Sequence, residues 1–205
     1  MTSYKPVNID IICEGKTEEY FVKFALNQYF CDFNIHLKPI NLGGDVKTEK
    51  IVKYLKRSKN PIKTTLVDFY GYRDTNGKSA DELTADISIH FNNDYYVLPY
   101  IQMHEIEALW FCDINKIAEK MNADNKQLKK LQAIINNYPN PENINNSKET
   151  APSKRLESIF IGYDKKNDGA KISQEIPIEL YMEKCPRFKK WINDLKERVD
   201  KYRGK

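Results

Sequence analysis

The sequence predicts an α/β fold, a parallel four-stranded sheet flanked by helices, with a helical C-terminal extension. Two observations support this fold class. From residue 7 onward, short β-type runs alternate with stretches of helical spacing, which is the pattern of parallel strands joined by right-handed crossovers. After about residue 104 the β-type runs stop and helical patterns continue. We therefore predict a core domain over residues 1–112 and a helical extension over residues 113–205 that packs on it.

Four segments have the composition of strands, because they are short, apolar and rich in β-branched and aromatic residues. They cover residues 7–13, 35–42, 64–70 and 95–102. Since consecutive strands are joined by helices, all four should run parallel and end at the same edge of the sheet. Ligands of open α/β sheets bind at that edge.

The predicted helices follow from apolar spacing and from capping residues. In the core, helices are expected over residues 17–30 and 46–57, and a third begins at the capping box formed by Ser79 and Glu82. Helices are also expected over residues 104–111, at the end of the core, and over residues 114–121, 127–135 and 153–160 in the extension. A last helix is indicated by the stripe Phe188, Trp191, Ile192, Leu195 and Val199, which repeats at i, i+3, i+4, i+7 and i+11.

Composition limits the functional classes. The 205 residues are 40% hydrophobic and 30% charged, as in a globular domain, and no apolar run approaches the roughly 20 residues of a spanning helix. The four cysteines are far apart in sequence and form no CxxC motif, so neither a disulfide framework nor a zinc site is indicated. Residues 1–8 also lack a secretory apolar stretch, and we expect a reduced, cytoplasmic protein without membrane contact.

The charge is unevenly distributed. Residues 1–147 hold 18 Lys and Arg against 19 Asp and Glu, whereas residues 148–205 hold 15 against 10. The basic C-terminal part is suited to a polyanion such as nucleic acid, although solvated lysines on helix surfaces explain the same excess.

Acidic residues follow three of the predicted strands. Glu14 comes directly after the first strand, and Glu18 lies one helical turn further on. Asp68 falls at the end of the third strand, and Glu105 and Glu107 follow the fourth. Each acid taken singly has an ordinary explanation, as a turn residue or as a charge in the first turn of a helix.

The joint pattern is harder to explain in that way. Carboxylates gathered at one edge would repel one another without a cation, and oxygen ligands of this kind suit Mg²⁺ or Mn²⁺. We therefore predict a metal site formed by Glu14, Glu18, Asp68, Glu105 and Glu107.

Several basic residues are placed to hold a phosphate. Lys16 lies in the turn after the first strand, and Lys154 and Arg155 open a predicted helix, where free backbone N–H groups favour anions. Arg73 follows the third strand. His104, at the junction after the fourth strand, has either a general-base role or the structural role of orienting a neighbouring carboxylate.

The motifs resemble those of a Toprim domain, the Rossmann-like catalytic fold of topoisomerases, bacterial primases and overcoming-lysogenization-defect nucleases. The resemblance is carried by Glu14-Gly-Lys-Thr-Glu18, by the Asp at the end of a later strand, and by Glu105-x-Glu107. The segments 67–71, 99–109, 150–156 and 184–188 are similar to a Toprim-related bacterial family of unassigned function. Members of that family stand beside genes for AAA- or ABC-type ATPases in phage-defence operons.

The resemblance implies an Mg²⁺- or Mn²⁺-dependent nuclease that cuts DNA or RNA, tRNA included. Glu14, Asp68 and Lys154 would be catalytic, with Glu14 acting as general acid and base or as a metal ligand. Lys16, Arg73 and Arg155 would bind nucleic acid. The resemblance implies that the protein is the effector of an abortive-infection system and that its partner is an ATPase. It is also compatible with a homo-oligomer of this chain. A topoisomerase or primase is disfavoured, since 205 residues leave no room for the additional domains of those enzymes.

One position departs from the Toprim pattern. The usual third-strand motif is Asp-x-Asp, and here the second acid is replaced by Tyr70. Asp74 or the pair Glu105 and Glu107 could take over its role. The alternative function is a non-catalytic adaptor that keeps the shape and binds an ATPase or nucleic acid.

Overall fold

We describe a computed structural model of the chain over residues 5–145 and 147–204. The core of the fold is a parallel sheet built from β1 (Val7–Cys13), β2 (Ile35–Asn41), β3 (Ile62–Asp68), β4 (Val97–Leu98) and β5 (Ile101–Gln102). The strand order is β2-β1-β3-β4, with β5 also paired to β3, and every pairing is parallel. The predicted α/β fold with its parallel sheet is confirmed.

Ten α-helices surround the sheet in the described residues. They are α1 (Lys16–Phe21), α2 (Asn27–Cys31), α3 (Thr48–Arg57), α4 (Ala80–Ile89), α5 (Ile114–Lys120), α6 (Asn125–Asn137), α7 (Pro152–Ile159), α8 (Asn167–Glu175), α9 (Ile178–Lys184) and α10 (Pro186–Tyr202). The capping box at Ser79 and Glu82 is present, and α10 buries the predicted apolar stripe. Two of these helices, α8 and α9, were not predicted from the sequence.

The predicted helix over residues 17–30 is divided. α1 passes into a π-helical segment, Val22–Leu26, before α2 begins. Asn27 fixes this arrangement, because its side-chain amide exchanges hydrogen bonds of 2.8 Å with both the N–H and the carbonyl of Leu37 in β2.

The predicted fourth strand, residues 95–102, is wrong in extent, since Pro99 and Tyr100 interrupt it. Thr65 bridges the interruption, because its hydroxyl donates to the Tyr100 carbonyl at 2.6 Å and accepts from the Tyr100 N–H at 2.7 Å. The following segment, Ile106–Cys112, is a 3-10 helix and not the predicted α-helix. Its residues are all buried, so packing determines its form more than helix propensity does.

Two hydrophobic clusters lie on the two faces of the sheet. The larger contains Ile9, Ile11, Phe21 and Trp110 together with the inward side of α10, and the smaller contains Ile12 and the inward sides of α3 and α4. The larger cluster thus draws residues from both predicted domains. The boundary at residue 112 stays a prediction, and residues 1–4, 146 and 205 of those ranges lie outside the described part.

α10 is attached to the sheet by aromatic packing. Trp191 stacks on Tyr100 with ring centroids 4.7 Å apart, and its indole N–H donates to the Thr64 hydroxyl at 2.8 Å. A buried carboxylate holds the start of the same helix, since Glu142 accepts from the backbone N–H groups of Arg187 and Phe188. The C-terminal helix is therefore part of the same packed body as the strands.

Candidate carboxylate site

The first acidic pair lies where β1 ends and α1 begins. The Glu14 N–H donates to the carbonyl of Leu66 in β3, which fixes Glu14 at the sheet edge. Glu18 turns back over the start of its own helix and accepts from the Gly15 N–H at 2.8 Å. Glu18 is buried, whereas Glu14 is partly exposed. The turn on Gly15 thus brings both carboxylates to the C-terminal edge of the sheet.

Asp68, the last residue of β3, is joined to Glu14 through the backbone. Its N–H donates to Glu14 Oε2 at 3.1 Å, and its own side chain is buried. Gly71 makes room for this contact, because a Cβ atom there would lie 1.9 Å from Glu14 Oε2. Space, and not backbone conformation, is therefore what requires glycine at this position.

Glu105 and Glu107 approach from the segment after β5. Glu105 Oε2 accepts from the Ser153 N–H at 2.9 Å, so the first turn of α7 is docked on this carboxylate. Its other oxygen accepts from Lys165 Nζ at 3.1 Å, and the same ammonium lies 3.6 Å from Glu107 Oε1. Lys165 comes from the connection between α7 and α8. The C-terminal part of the chain thus supplies the countercharge of the site.

The five acids act on one another electrostatically. Burial raises the pKa of Asp68 well above its usual value, and the charges of Glu18, Glu14, Glu107 and Glu105 raise it further. Burial, reinforced by Glu14 and Glu107, raises the pKa of Glu18 to about 8.

The same balance of burial and charge affects the remaining groups. Burial raises the pKa of Glu107 to about 7, against the opposing charge of Lys165, and burial also raises the pKa of Glu14. Burial by itself would lower the pKa of Lys165, but Glu107 and Glu105 outweigh it and the pKa rises. The predicted convergence of Glu14, Glu18, Asp68, Glu105 and Glu107 in one neighbourhood is therefore what the structure shows.

Among the described residues, two buried carboxylate oxygens of this cluster, Asp68 Oδ1 and Glu107 Oε1, have no hydrogen-bond partner, although Glu107 Oε1 lies 3.6 Å from the Lys165 ammonium. Unpaired acceptors in a low-dielectric site are costly and point to a donor or a cation. The donor set consists of carboxylate oxygens, which fits a hard divalent cation such as Mg²⁺ or Mn²⁺. In the described ranges, no group of three or more His, Cys, Asp and Glu side chains is already spaced to hold a metal ion. In this arrangement of the side chains, Lys165 contacts two of the acids, Glu105 and Glu107.

The other predicted site residues lie around this cluster with partners of their own. Lys16 pairs with Glu19 at 2.9 Å, and Arg73 lies 3.5 Å from Asp45. Both basic side chains are more than half exposed.

The basic residues of α7 also have partners nearby. Lys154 pairs with Glu157 on the same helix at 2.7 Å, and the Arg155 guanidinium donates to the Thr150 carbonyl at 2.8 Å. Lys165, and not Lys154, is the lysine that the fold brings to the acids.

Tyr70, at the position of the usual second Asp, turns towards the C-terminal part. Its hydroxyl is hydrogen-bonded to the Asn145 amide, and its ring lies 5.3 Å from the His104 ring. Its backbone N–H donates to the His104 carbonyl at 3.0 Å. His104 itself has a φ of 62°, in the left-handed region that is uncommon for non-glycine residues. Burial lowers the pKa of His104, so this side chain is neutral near pH 7.

Three residues that shape the site were not predicted as site residues, namely Lys165, Ser153 and Gly71. Lys165 lies some 60 residues from its carboxylate partner in a loop of ordinary composition, and no local pattern marks it. Gly71 carried a usable signal, because it closes the segment Val67-Asp68-Phe69-Tyr70-Gly71 that was matched as a motif.

The fold and the site together define an α/β protein with an acidic centre at the C-terminal edge of a parallel sheet. The family model described as "Domain of unknown function (DUF4276)" matches residues 13–196, and the chain belongs to this family. No curated protein matches the chain. Every described helix is too short or too polar to cross a membrane.

Solved structures share the fold. The C-terminal region of the Xanthomonas campestris pv. campestris OLD protein aligns with a TM-score of 0.50 and 17% identity, over 97% of this chain and 94% of that one. The C-terminal region of the Burkholderia pseudomallei OLD protein aligns with a TM-score of 0.50 and 15% identity, over 95% and 98% of the two chains. The expected relation to OLD proteins is therefore confirmed at the level of the fold.

Proposed function

We propose that this protein is an Mg²⁺- or Mn²⁺-dependent nuclease that hydrolyses phosphodiester bonds of DNA or RNA. The proposal is carried by one observation: three strand ends bring five carboxylates into one electrostatic neighbourhood, in which Lys165 contacts Glu105 and Glu107. The fold shared with the OLD C-terminal regions and the Toprim-like motifs agree with this proposal.

The acids of the cluster would hold the metal, with Asp68 Oδ1 and Glu107 Oε1 offering oxygens that have no hydrogen-bond partner in the described part of the chain. A bound divalent ion would neutralise charge on the phosphate and lower the pKa of a water molecule. Glu14 and Glu105 are the partly exposed acids of the set, and both oxygens of Glu105 are already held by Ser153 and Lys165, so Glu14 is the carboxylate placed to exchange a proton with substrate or water.

Lys165 would have two roles. Without substrate it compensates the charge of Glu105 and Glu107. When a phosphate is bound, the same ammonium can turn to the phosphate oxygens and stabilise the negative charge that develops there. Lys16 and Arg73 have exposed side chains near the same edge and would contact the nucleic-acid backbone.

The direct test is cleavage of supercoiled DNA and of structured RNA, including tRNA, by the purified protein with Mg²⁺ or Mn²⁺. Asp68→Asn and Glu107→Gln remove ligand charge with little change of shape, and each should lower cleavage at least about 100-fold. Glu119→Gln changes an exposed acid of α5 and is the matched control. Equal cleavage by wild type and Asp68→Asn would show that the activity does not arise at this site.

A non-catalytic adaptor is the second candidate, favoured by two contacts. Lys165 already supplies a countercharge, and Tyr70 is hydrogen-bonded to Asn145 instead of adding an acid. Titration calorimetry separates the two functions, because an adaptor should bind Mn²⁺ with the same weak heat before and after Asp68→Asn. A nuclease should lose its carboxylate-dependent heat.

We further propose, from the family resemblance, that the nuclease is the effector of a phage-defence pair with an AAA- or ABC-type ATPase. Co-purification of the chain with the product of a neighbouring ATPase gene would support that pairing. Protection of a phage-infected culture that carries both genes, lost with Asp68→Asn, would support the defence role.

A further inference from the structure

Two cysteines that are remote in sequence lie next to each other in the buried core. Cys112 Sγ and Cys185 Sγ are 3.4 Å apart, although 73 residues separate them along the chain. Both are free thiols with 1% or less of their surface exposed. The other two cysteines have different surroundings. Cys13 is buried and its thiol donates to the Ile11 carbonyl, whereas Cys31 is exposed.

The backbone around this pair is already held in place. Cys112 ends the 3-10 segment that carries Glu107, and Cys185 is the N-cap residue of α10. Lys184 Nζ donates to the Cys112 carbonyl at 2.7 Å, and the Cys185 N–H donates to the Tyr181 carbonyl at 2.8 Å. A disulfide bond is about 2.05 Å long, so the sulfurs need to approach by little more than 1 Å.

We propose that Cys112 and Cys185 are a redox modification site, a thiol pair that a peroxide converts into an intramolecular disulfide. One thiolate attacks the peroxide oxygen and becomes a sulfenic acid, releasing hydroxide, which takes up the proton that the thiol lost. The second thiol then displaces water from the sulfenic acid and forms the S–S bond. In total, two thiols and one hydrogen peroxide give one disulfide and two waters.

The surroundings determine which oxidants can act. The hydrogen bond with Cys112 and burial both raise the pKa of Cys185, so thiolate is scarce and attack is slow at neutral pH. Bulky disulfides such as oxidised glutathione cannot reach the buried sulfurs. A small peroxide can reach them during local opening. The bond would link the segment of Glu107 covalently to α10.

Peptide mapping of the full-length protein tests the proposal. The folded protein is exposed to hydrogen peroxide, the peroxide is removed by catalase, and the chain is denatured and alkylated before digestion. We expect a peptide that links Cys112 to Cys185 and disappears on reduction, with Cys13 still alkylated. Cys31 is exposed and reports whether peroxide reached the sample. Oxidised Cys31 with Cys112 and Cys185 both alkylated would overturn the proposal, as would a link to Cys13 or Cys31.

Matched variants extend the test. Cys31→Ser should keep the linked peptide, and Cys185→Ser should lose it. Closing a loop of 73 residues should raise the thermal midpoint of the oxidised wild type by on the order of 10 °C relative to the reduced form. The peptide map of the wild type decides the question even if Cys185→Ser does not fold.

Discussion

Replacing Glu18 with glutamine should stabilise the metal-free protein at alkaline pH and leave its stability near pH 4 unchanged. Glu18 is buried beside Glu14 and Glu107, and its pKa is raised from 4.5 to about 8. Between these two pH values the folded protein keeps a proton that the unfolded chain releases. The free energy of unfolding of the wild type therefore falls as the pH rises from about 4.5 to about 8, and this contribution levels off above that range. Glutamine stays neutral, and its side-chain oxygen can still accept from the Gly15 N–H.

The size of the effect follows from the pKa change. One pKa unit corresponds to about 1.4 kcal/mol, so the interval from 4.5 to about 8 sets an upper limit of about 5 kcal/mol. The neighbouring carboxylates titrate together with Glu18, so part of this energy belongs to them. We therefore expect Glu18→Gln to be more stable than wild type by about 2 to 4 kcal/mol at pH 9.

Urea denaturation in the presence of a chelator, at pH values from 4 to 9, measures this difference. Glu119→Gln, on the surface of α5, should follow the wild type throughout. Adding Mg²⁺ at pH 9 should stabilise the wild type more than the Glu18→Gln variant, since a cation relieves the same repulsion. If the unfolding free energies of wild type and Glu18→Gln stay parallel from pH 4 to pH 9, the electrostatic description of the site is refuted.

Three further outcomes are expected. Gly71→Ala places a Cβ atom 1.9 Å from Glu14 Oε2, so it should displace that carboxylate. The variant should lose about 1 to 3 kcal/mol of unfolding free energy in urea denaturation and should lose metal-dependent cleavage. Cleavage at the wild-type rate would contradict this prediction. Lys165→Met leaves Glu107 without its nearby cation, and it should destabilise the metal-free protein at pH 9 in a way that Mg²⁺ reverses, which thermal unfolding with and without Mg²⁺ can check. Glu142→Ala removes the acceptor for two N–H groups at the start of α10, so it should lower the free energy of unfolding in urea by about 2 to 4 kcal/mol. Glu183→Ala, on the exposed side of α9, is the control and should lower it by less than about 0.5 kcal/mol.

Most of the core could be predicted because its signals are local. The alternation of strands and helices, the capping box at Ser79 and the stripe of α10 each depend on neighbouring residues, and all three are confirmed. The extent of the last strand could not be predicted in this way. Its interruption at Tyr100 is tolerated because the hydroxyl of Thr65, far away in sequence, replaces the missing ladder contacts.

The acidic residues of the candidate site could also be predicted from the sequence. Parallel strands joined by helices end at one edge, so acids that follow three such strands had to meet. The structure places Glu14, Glu18, Asp68, Glu105 and Glu107 in one electrostatic neighbourhood, whereas their roles as metal ligands stay a prediction.

The sequence by itself therefore determined the parallel sheet and the acidic edge, because both follow from periodicity and strand direction. Tertiary structure decided which cation faces the acids. It selected Lys165 from the connection before α8, while Lys154 pairs with Glu157 on its own helix. It also brought Cys112 to Cys185 across 73 residues. Such long-range contacts depend on how α7 to α10 pack against the sheet, and packing between distant elements leaves no periodic signal along the chain.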